Sequence, residues 1–211
     1  MSTGNLRASA LAMTLWSEGR YPALRAVLLV IVGSALLIIS AKIKVFQEPV
    51  PITLQTFAIM AIAAAYGSRL AVATVVAYLA EGILGLPVFA NTPPAIAGPA
   101  YFLGPTGGFL VGFIPLAFVV GYAADRGWDR SIPKLFLAMI VADAMVFILG
   151  FAWLAGFATL SSGGTGLGVE KTFQFGVQPF IIPDLLKIAL AAFLIPAAWR
   201  LARPPRPGAL G

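Results

Sequence analysis

Three features of the sequence predict an all-α integral membrane protein, a bundle of six transmembrane helices whose outward-facing loops close a ligand pocket. Of 211 residues, 60% are hydrophobic and only 10% are charged, where an ordinary soluble chain carries about 25% charged residues. Mean hydropathy is +0.94. The apolar residues also fall into six runs separated by Pro, Gly and charged breaks, the pattern of repeated membrane crossings.

The first run, Ala26 to Ala41, is uncharged. Arg25 precedes it, and Lys42 and Lys44 follow where long side chains can snorkel to headgroups. Before it, residues 1–22 are only mildly apolar and are broken by Glu18 and Arg20, which predicts an interfacial cytoplasmic lead-in rather than a cleaved signal. Glu48-Pro49-Val50-Pro51 stops the helix, because proline removes a donor and fixes φ. Ile52 to Tyr66 is the second run and Leu70 to Gly85 the third, interrupted only by Glu81. From Gly82 to Ala124 there are 43 residues without a charge, too rich in Gly and Pro for two plain helices. Their first half therefore reads as irregular backbone packed on protein, a lid or pocket wall. Phe109 to Ala124 is the fourth span, Leu135 to Phe157 the fifth, with Asp143 inside it, and Pro179 to Trp199 the sixth. The domain is expected to cover residues 23–200, with 201–211 a disordered cytoplasmic tail.

Ten basic residues (Arg7, Arg20, Arg25, Arg69, Arg126, Arg130, Lys134, Arg200, Arg203 and Arg206) fall on one side of this layout, and three (Lys42, Lys44, Lys171) on the other. The positive-inside rule then puts both termini of this multi-pass protein in the cytoplasm. The same dispersal explains the net charge of +6 without nucleic acid. His and Cys are absent, which removes imidazole relays, thiol nucleophiles and the commonest metal ligands. An enzyme using buried carboxylates as acid and base has little support, and no cofactor or metal is expected.

One charge remains. Lys187 stands three residues after Asp184 inside the sixth span, so both side chains share a helix face and either pair structurally or grip a polar ligand together.

At Pro51-Ile52-Thr53-Leu54-Gln55-Thr56, Gly85-Leu86-Pro87-Val88-Phe89-Ala90, Gly104-Pro105-Thr106-Gly107-Gly108-Phe109 and this Asp184/Lys187 pair, the chain resembles BioY, the biotin-specific S component of energy-coupling factor (ECF) vitamin transporters. The resemblance runs from about Arg25 to Arg200. It implies high-affinity biotin uptake, with biotin bound from the outer side as the transported ligand. It also implies membrane lipid, a transmembrane coupling subunit and cytoplasmic ABC-type ATPases as partners, with a homo-oligomer left open. No Gly-x-x-x-x-Gly-Lys-Ser/Thr segment occurs, so ATP hydrolysis belongs to partners. The first span offers Ala26, Gly33, Ser34, Ala35 and Ala41 without a four-residue alanine repeat, whereas Ala8 and Ala12 have that spacing in the lead-in. A solitary carrier driven by an ion gradient, through Glu81 or Asp143, therefore stays as the alternative.

Biotin presents a carboxylate, a cyclic urea and an apolar bicycle, so its pocket needs an acceptor for N–H, donors for oxygen and aromatic walls. Asp184 can accept from the urea, and Lys187 can donate to its carbonyl or meet the carboxylate. Asn91, ending the Phe89 strip, offers donor and acceptor, or else serves a turn before Thr92-Pro93-Pro94. Glu81 and Tyr78, three apart, read as one helix face on the pocket, with pairing to Lys187 or a helix-end bond as the other role for Glu81. Thr53 and Gln55 reach a ligand or cap the second span. Trp153 stacks on the bicycle or anchors at the interface.

Overall fold

A computed structural model describes residues 22–45 and 48–202. All of the lead-in except Pro22, the Ala8/Ala12 pair and all but two residues of the tail lie outside them. Leu201 and Ala202 continue the last helix rather than starting a tail.

Helix α1 spans Pro22–Lys42 and ends where the expected run ends. Lys44–Val45 (β1) pairs antiparallel with Ile52–Thr53 (β2), Lys44 opposite Thr53. The second helix is thus shorter than expected. Pro49 and Pro51 keep this stretch extended, so α2 begins at Gln55 and runs Gln55–Tyr66. Gly67 turns the chain at φ 77° into α3, Ser68–Ile83. Ser68 donates its backbone N–H and its hydroxyl to Asp125 Oδ2, at 3.1 and 2.5 Å, which satisfies the start of α3.

Between α3 and the next long helix, the connection is irregular as expected, with only the short α4, Pro99–Leu103. Then come α5, Gly107–Asp125, a 3₁₀ turn Trp128–Arg130, α6, Ile132–Gly156, the short α7, Val169–Gly176, and α8, Ile181–Ala202.

Helix α5 is the centre of the bundle and packs on α2, α3 and most extensively on α6. A Cβ on its Gly112 would lie 2.9 Å from Val146 Cα, so only glycine lets the two helices approach this closely. Phe109, Phe113, Leu116 and Val120 of the same helix are all buried. By contrast α1 packs on α3 and α2 with one face and presents Leu24, Val27, Ile31, Val32 and Ile39 outward. Such an apolar exterior suits lipid.

Four stretches among the described residues are long and apolar enough to cross a membrane: Ala23–Lys42, Gly107–Asp125, Ile132–Gly156 and Val169–Leu201. With 12 and 16 residues, α2 and α3 reach only ~18 and ~24 Å at 1.5 Å per residue, less than the roughly 30 Å hydrocarbon core.

Candidate functional site

The Thr-x-x-Thr run at the start of α2 faces the start of α8. Pro183 sits in the first turn of α8, where a missing N–H costs nothing. Asp184 follows it, near the positive end of the helix dipole. Lys187 Nζ donates to Asp184 Oδ1 at 2.6 Å and to Thr56 Oγ1 at 3.3 Å, and Thr56 Oγ1 lies 3.4 Å from Asp184 Oδ1. The side chains are 5% and 13% exposed. At that burial the pair must be neutralised internally.

This triad lines a cavity of about 50 Å³ with Thr53, Phe109, Phe113, Phe147 and Phe180. A second cavity, about 40 Å³, shares Val50, Pro51, Thr53, Phe109 and Phe113 with it and adds Gln55, Ala90, Tyr101 and Thr106. The two are compartments of one narrow site, polar at both ends and aromatic between. Each is far smaller than the roughly 300–1,000 Å³ of a small-molecule pocket; a ligand enters only if the walls separate. Tyr101 and Thr106 also line an outer cavity of about 290 Å³ with Asn91 and Pro49, which forms the vestibule. Burial raises the Tyr101 hydroxyl pKa, against the opposing bonds of Thr106 and the Asn91 backbone, which keeps Tyr101 a neutral phenol.

Thr53 lines the cavity, and its Oγ1 accepts the backbone N–H of Gln55, the first residue of α2, at 3.2 Å. Gln55 Nε2 donates to Tyr78 Oη at 2.8 Å, which in turn lies 3.3 Å from Val88 O. Tyr78 is therefore fully buried behind the wall rather than on it. Phe89 is likewise fully buried, stacked on Tyr101 at 4.7 Å and edge-on to Tyr78 at 5.6 Å; it anchors the loop while Ala90 faces the cavity. Glu81 turns to α1, where Ser34 Oγ donates to its Oε2 at 2.7 Å. Three residues along a helix is about 60° of rotation, enough here for α1 to receive Glu81 while Tyr78 meets α2. Trp153 bonds Gly104 O at 2.9 Å and lines a separate apolar cavity of about 420 Å³ with Phe102 and Val111. Asp143 is 7% exposed, and among the described residues its Oδ1 has no hydrogen-bond partner and Asp184 and Lys187 are the charged groups acting on it.

Thr56, Tyr101, Thr106, Phe109 and Phe113 were not among the expected ligand-binding residues, although Thr56, Thr106 and Phe109 stand in the motifs that carry the resemblance. Thr56 carried a signal, since it lies three residues after Thr53 on one face of the same run. Tyr101 and Phe113 carried none, because they look like any apolar residue near a span. No group of three or more potential metal ligands occurs among the described residues.

The model of the BioY family matches residues 9–204. A Pyrococcus horikoshii protein named "Probable biotin transporter BioY" is 34% identical over 160 residues, 76% of this chain and 87% of that protein. The "Biotin transporter BioY" of Thermotoga maritima is 32% identical over 161 residues, 76% and 88% of the two chains. Among solved structures, one described as the S-component for biotin from an ECF-type ABC transporter superposes with a TM-score of 0.69. It is 22% identical and covers 87% of this chain and 95% of its own, which shows the shared fold.

Proposed function

The chain belongs to the BioY family, and from that premise we propose that it captures biotin at the outer face of the cytoplasmic membrane and serves uptake as the S component of an ECF-type transporter. Its relatives are named as transporters, and it is a transport protein, not an enzyme. The observation that carries the ligand reading is the Asp184–Lys187–Thr56 triad at the end of an aromatic-walled site. Asp184 accepts from the urea N–H groups, Lys187 and Thr56 donate to the urea oxygen, and Phe109, Phe113 and Phe147 flank the bicycle. At the other end Gln55, Thr106, Tyr101 and Asn91 receive the carboxylate tail. Glu81, Tyr78 and Phe89 support this wall from behind. Trp153 closes the neighbouring α5–α6 contact.

In this reading α2 and α3, with the extended residues before α2, complete a six-segment membrane domain over residues 23–200. Both termini lie in the cytoplasm, in line with the ten-to-three distribution of basic residues. Energy comes from a coupling subunit and ATPases, since the chain has no phosphate-binding loop of its own. One experiment tests both parts. Purified protein should retain labelled biotin, and cells expressing it without any coupling or ATPase subunit should bind biotin but fail to accumulate it. Absence of saturable binding would refute the ligand. Accumulation in those cells would replace the ECF assembly by a solitary carrier.

A further inference from the structure

The connection between α3 and α4 is irregular, so its carbonyls have no ladder or helix to satisfy them. Local turns serve some of them, as where Thr92 donates its backbone N–H and its hydroxyl to Phe89 O, and two ammonium groups reach the loop from outside it. Lys42, at the end of α1, donates to Pro87 O at 2.8 Å, to Phe89 O at 2.6 Å and to Thr92 O. Lys44 donates to Ala90 O at 2.7 Å and to Asn91 Oδ1 at 2.8 Å. The two lysines do not snorkel to headgroups as their position in the sequence suggests; they hold five oxygens of the pocket wall. Among the described residues no carboxylate lies within ion-pair distance of either, so oriented carbonyl dipoles offset the repulsion between two like charges.

An ammonium has donors and no acceptor. It therefore decides which end of the Asn91 amide faces it: the oxygen is committed to Lys44, and the two N–H donors are left for the vestibule that Asn91 lines with Tyr101 and Thr106. Ala90, held by the same lysine, faces the inner compartment. Resting on the biotin-binding reading, we propose that Lys42 and Lys44 are positioning residues for the ligand: they clamp residues 87–92 as the outer wall of the site and fix Asn91 as a donor, so that this end of the pocket selects an oxygen acceptor such as a carboxylate. Their two positive charges also favour an anion at the mouth.

The test uses the full chain in detergent, with Lys42→Met, Lys44→Met and Lys44→Arg compared by dissociation of labelled biotin and by amide hydrogen exchange over residues 86–95. Either methionine variant should release biotin about tenfold faster, as loss of hydrogen bonds from a charged donor implies, and should speed exchange in the loop while leaving α5 unchanged. Lys44→Arg, also a pure donor, should restore most of the retention. Unaltered loop exchange would overturn the clamp, as would a released loop with unchanged dissociation, or equal loss in the arginine and methionine variants. If Lys42→Met does not accumulate, the Lys44 pair alone decides. Wild-type protein that holds no biotin would overturn the functional reading instead, and loop exchange would still decide the clamp.

Discussion

Asp184 and Lys187 are each a charge that the membrane interior would reject alone, and together with Thr56 they make a neutral unit joined by hydrogen bonds. In equilibrium binding, Asp184→Asn and Lys187→Ala should each weaken biotin by about 1.5–3 kcal/mol, the range for hydrogen bonds to charged groups. Unchanged affinity in both would make the pair purely structural. A second buried acid lies at the opposite end of the bundle. Asp129 is 1% exposed, accepts from Trp199 Nε1, and sits beside Arg130, whose guanidinium lies 4.4 Å from the Trp199 ring centre. Burial raises its pKa above 3.8, against the opposing indole bond and the Arg130 charge. The folded state then holds the proton more tightly than the unfolded chain, so this contribution favours the fold at acid pH and is lost as pH rises through the folded-state pKa. Melting temperature in detergent should accordingly carry a component that falls with rising pH just above the ordinary Asp range, and Asp129→Asn should remove it; an identical slope in the variant would contradict the assignment.

At the scale of elements, long helices were legible because a long uninterrupted apolar run has few uses other than a membrane span. The ends of α1, α5 and α6 fall within three residues of the runs that announce them, apart from the earlier start of α1. The start of α2 was not legible, because Ile52 and Thr53 suit a strand as well as a helix and the pairing with Lys44–Val45 is a tertiary event. The wall loop depends on another such contact. A Cβ on Gly82 would stand 2.0 Å from Phe89 Cζ, so α3 admits the ring only where it has no side chain. Gly82→Ala should displace Phe89, lower stability by about 1–3 kcal/mol as overpacked cores do, and weaken biotin binding with it. Loss of stability with intact affinity would separate the loop anchor from the site.

For the whole molecule, the layout can be read from the surface because the chain has no cysteine. Single cysteines at Ser162, between α6 and α7, and at Ser131, between α5 and α6, should label oppositely in intact cells with an impermeant maleimide: Ser162→Cys from outside, Ser131→Cys only after permeabilisation. The reverse pattern would invert the topology. Composition, the spacing of apolar runs and the side on which arginines gather determined by themselves that this is a multi-pass helical protein, since hydrocarbon admits little else. They also marked Asp184, Lys187, Thr53, Gln55 and Asn91, because a polar residue in an apolar chain stands out. Only the tertiary structure decided what those residues face. It turned Glu81 to Ser34, put Tyr78 and Phe89 behind the wall, brought Thr56 to the ion pair across 128 residues, and spent Lys42 and Lys44 on the loop's carbonyls. Helical period specifies a face, but which neighbour lies against that face depends on how the helices pack, and a sequence pattern carries no record of that.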